Sequence, residues 1–148
     1  MGHRSILRVP AVVVAVYRGF TPATDRLVPV VRYSGEVTHQ WARRRLLAEW
    51  RAGRVSRDTV CDGDFRLLAA SRFHGYRAER LCPICDGDDL RIVLWIFGDS
   101  LGKMSSSARS AEEIERFAEA GREFTVHTVE VCPDCHWNHL LSAREVGP

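Results

Sequence analysis

The sequence runs to 148 residues, enough for one domain or for a small domain with a helical appendage. At 45% hydrophobic and 27% charged it has the composition of a globular chain, not of a disordered one. It also lacks anything near the roughly 18 uninterrupted apolar residues that would cross a bilayer. The net charge of +2 conceals a division: residues 1–81 carry 15 Arg against 7 Asp/Glu, and residues 82–148 carry 6 Lys/Arg against 12 Asp/Glu. A front half at +8 on a back half at −6 points to a polyanionic partner for the front, nucleic acid foremost. The plainer account is that the halves neutralise each other across an interface.

Residues 1–33 form an N-terminal extension to which no function is assigned. Its apolar run Val9-Pro10-Ala11-Val12-Val13-Val14-Ala15-Val16-Tyr17 follows His3 and Arg4 and faintly resembles a secretion signal, but Arg18 interrupts it and no small-x-small cleavage site follows. Three readings stay open: an added strand, a poor signal, or translated upstream sequence, with Val30 or Val31 standing for GTG start codons.

Residues 34–80 read as a basic helical module. From Gly35 onward, Val37, Trp41, Leu46 and Trp50 fall near helical spacing with Ala42 and Leu47 alongside, so one stripe can be buried. Ser34 or Thr38 is a candidate cap, and Gly53 sits where a left-handed residue ends a helix. Arg43, Arg44, Arg45 and Arg51 are expected on the other faces. Ser56 caps a short turn toward Val60, and Asp64 caps a helix over Phe65–His74, with Phe65, Leu68 and Phe73 apolar and Gly75 as its end.

Residues 81–142 change character. Leu90-Arg91-Ile92-Val93-Leu94-Trp95-Ile96-Phe97 is β-branched and aromatic and predicts a buried strand. Gly98–Arg109, with two glycines and four serines, predicts a loop. Ser110 opens a capping box with Glu113, followed by Ile114, Phe117 and Ala118 on one helical face and Gly121 as the stop. Phe124 to Val131 alternates as a half-buried strand with Phe124, Val126, Thr128 and Glu130 on one side.

Two C-P-x-C pairs carry the chemistry: Cys82-Pro83-Ile84-Cys85 and Cys132-Pro133-Asp134-Cys135. Two intervening residues let both thiolates of a pair turn onto one tetrahedral ion, at about 2.3 Å per Zn–S bond. Proline fixes one φ in each pair and removes a donor, favouring a tight knuckle. Each pair adjoins a strand, as in a zinc ribbon. The spacer from Cys85 to Cys132 exceeds the ~15–20 residues of a compact ribbon, and an inserted helix accounts for the excess. The expected cofactor is one structural Zn²⁺ on Cys82, Cys85, Cys132 and Cys135, which four thiolates close against water. A thioredoxin-like redox pair and two disulfides are the competing readings. His136 and His139 are alternative ligands, more often second-rank neighbours of such a site, and Cys61 is the odd cysteine, read as a buried free thiol.

Two decoys share one loop. Gly98-Asp99-Ser100-Leu101-Gly102-Lys103-Met104 lies where a phosphate-binding loop would, but its glycine spacing is short and Met104 stands where Ser/Thr must bind magnesium. Lys103-Met104-Ser105-Ser106-Ser107 resembles the lysine signature of class I aminoacyl-tRNA synthetases, and His136-Trp137-Asn138-His139 their other signature, in the wrong order and in too short a chain. Gly98–Ser107 is kept as a candidate contact loop. No catalytic constellation stands out.

The stretch from about Val37 to Leu141 resembles a family of short, uncharacterised actinobacterial proteins, a domain of unknown function. The residues that carry the likeness are Arg43-Arg44-Arg45 with Leu47-Ala48-Glu49, Val60-Cys61-Asp62, Phe73-His74-Gly75 and Cys82-Pro83-Ile84-Cys85. They continue with Trp95-Ile96-Phe97-Gly98-Asp99, Val129-Glu130-Val131-Cys132 and Cys135 with Trp137-Asn138-His139-Leu140. The resemblance implies a cytoplasmic bacterial protein and supplies no activity.

The expectation is an α+β chain, a small N-terminal helical module followed by a zinc-ribbon-like antiparallel sheet with an inserted helix. Its leading function is non-enzymatic: zinc holds a platform from which Arg43, Arg44, Arg45, Arg51, Arg54 and Arg57 contact nucleic acid, or a nucleic-acid machine such as RNA polymerase or the ribosome. The plain alternative for these arginines is a solvated helix face. A second class is a protein–protein adaptor without nucleic-acid contact, using the acidic back half, an exposed Trp137 and the Gly98–Ser107 loop. A third is a thiol/zinc redox switch.

Overall fold

The computed structural model describes residues 31–147. The apolar run of residues 9–17 and the three readings attached to it lie outside the described residues. Arg32 and Tyr33, the end of that extension, open the first strand.

The α+β class is observed. Chain order is β1 (Arg32–Thr38), α1 (Gln40–Arg51), α2 (Arg57–Val60), α3 (Phe65–Phe73), β2 (Tyr76–Arg77), β3 (Arg91–Phe97), β4 (Ser107–Arg109), α4 (Ala111–Glu119), β5 (Phe124–Val131) and β6 (Asn138–Gly147). One six-stranded sheet runs β1-β6-β5-β3-β2, and β4 shares with β2 the outer edge of β3. Every pairing is antiparallel. The central β3–β5 ladder aligns Arg91 with Val131 and Phe97 with Thr125, and α4 is the helix inserted between those two strands.

Alternation along β3 sends side chains to opposite faces. Leu94 and Ile96 join Phe124, Val126 and Val146 under Ile114 and Ala118 of α4. Val93 and Trp95 face the other way, with Val131, toward Ala70, Leu67 and Leu68 of α3. At the end of the sheet where β3 begins, Leu47 of α1 and Val60 of α2 meet Leu90, Trp137, Cys82 and Cys132 in a third cluster. Among the described residues no helix is long and apolar enough to cross a membrane.

Several local expectations hold for their stated reasons. Asp64 accepts from the Leu67 N–H at 2.8 Å, and the Ser110–Glu113 capping box is reciprocal. Ser56 stands at the start of α2 without a side-chain cap bond. Gly53 has φ +70°, with its N–H on Trp50 O and the Arg54 N–H on Glu49 O, the paired bonds of a left-handed helix terminus.

Other expectations are corrected. The helix expected from Gly35 starts at Gln40, because residues 32–38 extend along β6 as an edge strand with a bulge between Ser34 and Val37. Val37 and Trp41 therefore leave the buried stripe, at 56% and 78% exposed. On α3, Phe65 and Phe73 are both 84% exposed, whereas Ala70 and Ser71 are buried: the small residues allow the close approach to the sheet. The loop expected at Gly98–Arg109 is ordered into two short 3-10 turns within Asp99–Met104, separated by a kink at Gly102 (φ 54°), and β4, whose residues find a free edge on β3. Residues 138–147 were not expected to form a strand. Asn-His-Leu-Leu-Ser-Ala-Arg-Glu carries no alternation, and pairing with β5 overrides its weak strand preference.

Candidate metal centre and arginine surface

Both knuckles are built by the same turn. The Asp86 N–H donates to Cys82 O at 3.0 Å and the Cys82 N–H to Gly87 O at 2.9 Å; in the second knuckle the His136 N–H donates to Cys132 O at 2.9 Å and the Cys132 N–H to Trp137 O at 2.8 Å. The fifth residue of each turn takes a positive φ, 56° at Asp86 and 71° at His136, and so reverses the chain. Gly87 leaves the room this requires, since a Cβ there would lie 3.2 Å from Cys85 Sγ. The first knuckle leads into β3, and the second is the turn of the β5–β6 hairpin. The β3–β5 pairing at Arg91–Val131 therefore carries the two knuckles to the same end of the sheet.

The four sulfurs of Cys82, Cys85, Cys132 and Cys135 all lie within 4.8 Å of one another. The short edges cross between knuckles, Cys82 to Cys135 at 3.6 Å and Cys85 to Cys132 at 3.7 Å. A tetrahedral ion with Zn–S bonds of about 2.3 Å requires sulfur–sulfur edges of about 3.8 Å, so the donor set fits such an ion. Cys82 and Cys132 are buried, Cys85 and Cys135 half-buried, and all five cysteines are free thiols. Burial pushes the Cys82 thiol up to about 11 and raises that of Cys135 still further. Burial also raises Cys85, but the Gly87 N–H and the neighbouring sulfurs outweigh it and leave that thiol below its ordinary range. Burial thus opposes the charged form at Cys82 and Cys135, and a divalent cation is the charge that would reverse that balance.

Neither candidate histidine joins the sulfurs. His136 is exposed and contributes its backbone to the knuckle, and His139 stacks on Trp137 with ring centroids 5.9 Å apart. Cys61 is half-buried against the same cluster, less enclosed than expected. The Gly63 N–H donates to His136 O at 3.0 Å and the Asn138 amide to Asp62 Oδ1 at 2.9 Å, so the α2–α3 turn is hydrogen-bonded to the second knuckle.

Beside the sulfurs lies a buried ionic group that sequence reasoning missed. Glu130, fully buried, receives Arg43 Nε, Arg80 Nη2 at 2.6 Å and the Trp137 indole N–H at 3.0 Å. The signal was present: Glu130 is in phase with Phe124 and Val126 on the buried side of β5, where a carboxylate requires cations. Trp137, expected to be exposed, is fully enclosed because its indole N–H finds this acceptor, and that removes it from the adaptor surface.

The six arginines expected to act together are dispersed. Arg43 turns inward to Glu130 instead of lying on an outer face, with its side chain 19% exposed. Arg54 holds Glu49 through two bonds of 2.6 and 2.9 Å. Arg44, Arg45, Arg51 and Arg57 are exposed and make no ion pair among the described residues. Arg44 lies over the Trp41 ring, 5.5 Å from its centroid. The Gly98–Ser107 segment is braced internally, Gly98 N–H on Ser105 Oγ at 3.0 Å, and has the form of two 3-10 turns kinked at Gly102 instead of a phosphate-cradling loop.

Comparison with known proteins places these features in context. The family of unknown function DUF5318 matches residues 30–147, which takes in all of the described residues. The uncharacterized protein Rv0049 of Mycobacterium tuberculosis is 48% identical over 105 residues, covering 71% of this chain and 77% of the relative. The uncharacterized protein Mb0050 of Mycobacterium bovis matches to the same extent. No solved structure matches the chain. The actinobacterial family resemblance read from the sequence is thus borne out.

Proposed function

Because the chain belongs to that family of unknown function, we propose from its own geometry that it is a non-enzymatic, zinc-stapled binding module of the cytoplasm. Cys82, Cys85, Cys132 and Cys135 hold one structural Zn²⁺. The observation that carries this reading is the approach of four sulfurs to within 4.8 Å of one another across two knuckles 46 residues apart in the chain. Four thiolates complete a tetrahedral shell and leave no position for water or substrate, so such an ion braces and does not catalyse. What it braces is the junction of β3, β5 and β6 with α1 and α2, where Leu47 and Val60 pack against the two buried cysteines.

The surface held in this way is basic. Arg44, Arg45, Arg51 and Arg57 project from α1 and the start of α2, and that none forms an ion pair among the described residues supports nucleic acid, alone or within RNA polymerase or the ribosome, as the partner. Elemental analysis of protein purified without added metal should give one zinc per chain. Cobalt(II) substitution should give the intense visible absorption of a tetrahedral thiolate ion. A metal-free protein with unchanged amide protection at the knuckles, or reversible Cys82–Cys85 and Cys132–Cys135 disulfides in its place, would replace the structural ion by the thiol switch.

A further inference from the structure

Trp41 is out of place for a structural residue. The inward side of α1 holds Leu47, buried, with Arg43, Leu46 and Trp50 half-buried; Trp41 lies on the opposite side. At 78% exposure it contrasts with Trp137, which is fully enclosed, and with Trp50 and Trp95, which are half-buried. The guanidinium of Arg44 lies over its ring, 5.5 Å from the centroid. Trp41, Ala42, Arg44, Arg45 and Glu49 line one shallow depression that is bordered by Leu46, at the edge of the inward side. The acid in it is already spent, since both Glu49 oxygens are held by Arg54.

An open indole flanked by two free guanidinium groups has a specific chemical complement. Its face offers a stacking surface to any flat aromatic ring, and Arg44 and Arg45 offer charge to anions on either side of that ring. A nucleotide strand with unpaired bases presents both at once: a base plane between two phosphates. A duplex does not, because its base faces are already stacked on one another and only base edges and backbone are accessible, neither of which engages the face of an indole. The apolar area is the indole with Ala42 and Leu46 beside it, interrupted by Arg44, Arg45 and Glu49, which distinguishes this surface from the continuous apolar face of an amphipathic helix that lies in a lipid interface.

We infer that Trp41 is a stacking platform for an unpaired nucleobase and that Arg44 and Arg45 take the flanking phosphates, so that the ligand class is single-stranded nucleic acid. This rests on the nucleic-acid reading above and specifies the strand state and the residue that reads it. A base on Trp41 displaces the Arg44 guanidinium from the ring toward a flanking phosphate, so the existing cation–π contact is the unliganded form of the site.

The test uses the full zinc-loaded chain and a fluorescein-labelled twelve-nucleotide probe, as DNA and as RNA, single-stranded and annealed to its complement, read by anisotropy at several salt concentrations. The intact protein should prefer the single strand. Trp41→Ala should weaken it about fivefold or more with the salt slope unchanged, and Trp41→Phe should recover most of the loss. Arg44→Ala with Arg45→Ala should instead flatten the logarithmic salt slope by about 1.4, at roughly 0.7 per phosphate contact on a single strand. Equal binding by Trp41→Ala and the intact protein, with the arginine variant weakened, overturns stacking but leaves nucleic-acid binding standing. A preference for duplex overturns the strand assignment. Failure to bind either probe, with retention on anionic phospholipid vesicles in its place, overturns both.

Discussion

The two ends of one sheet are held by different physics. Beneath α4, Leu94, Ile96, Leu101, Ile114, Ala118, Phe124, Val126 and Val146 form a cluster with no ionisable member. At the knuckle end, Leu47, Val60, Leu90 and Trp137 share their cluster with two cysteines, and the indole of that tryptophan reaches a buried carboxylate. β3 and β5 run through both ends, so the contrast is one of side chains and not of backbone. The first end needs only apolar burial, which is insensitive to protons and metal ions. The second buries thiols and Glu130, which lower the free energy only when counter-charges are present. The lesson is that a small sheet can be finished at one end by apolar packing and at the other by paired charge, and that each end answers to different conditions.

The largest separation of the two should come from removing the proposed metal. Structural zinc sites contribute on the order of 10 kcal/mol of binding free energy, so chelation or Cys132→Ser should unfold the knuckle end. Hydrogen exchange should show protection lost first at 82–90 and 132–140 and retained longest in β3–α4–β5 near Ile96 and Val126. Metal retention should fall as pH falls, because protons compete for thiolates whose parent Cys82 thiol already stands near 11. Uniform loss of protection along the whole sheet would show that the ends are not separable.

A smaller and more selective contrast is expected from single substitutions. Glu130→Ala strands Arg43 and Arg80 around a buried site and should cost about 3–5 kcal/mol. Raised salt or partial rehydration should soften that loss. Ile114→Ala, at the apolar end, should cost about 2–5 kcal/mol by cavity formation and leave zinc content unchanged. Chemical denaturation with metal analysis of each variant checks both.

The smallest effect tests local structure within the apolar end. Ser110→Ala removes the acceptor for the Glu113 N–H and half of the capping box, and should cost about 1 kcal/mol. That loss should be the same with and without bound metal. A metal-dependent cost would couple α4 to the knuckles and blur the comparison.

Much of the apolar end was legible along the chain. The Ser110–Glu113 box, the Ile114–Ala118 stripe and the β3 and β5 runs signal themselves over a few residues, and so do the two C-P-x-C pairs. Elements that depend on a distant partner were not. β6 has no alternation of its own, and among the described residues β1 pairs only with β6. Phe65, Phe73 and Trp41 looked like core because they are large and apolar, yet Ala70, Ser71 and Leu47 occupy the inward positions. Arg43 is indistinguishable in sequence from Arg44 and Arg45, and only the carboxylate of Glu130, across the fold, separates it from them.

By itself the sequence determined the α+β class, the thiol chemistry and the basic character of the first half, since each of these is written in residue type and short-range spacing. The tertiary structure decided which arginines are spent and which remain free, where Trp137 and Trp41 lie, and that four sulfurs converge on one point. Those outcomes depend on charges and surfaces brought together from distant parts of the chain, and spacing along a sequence does not encode such distances.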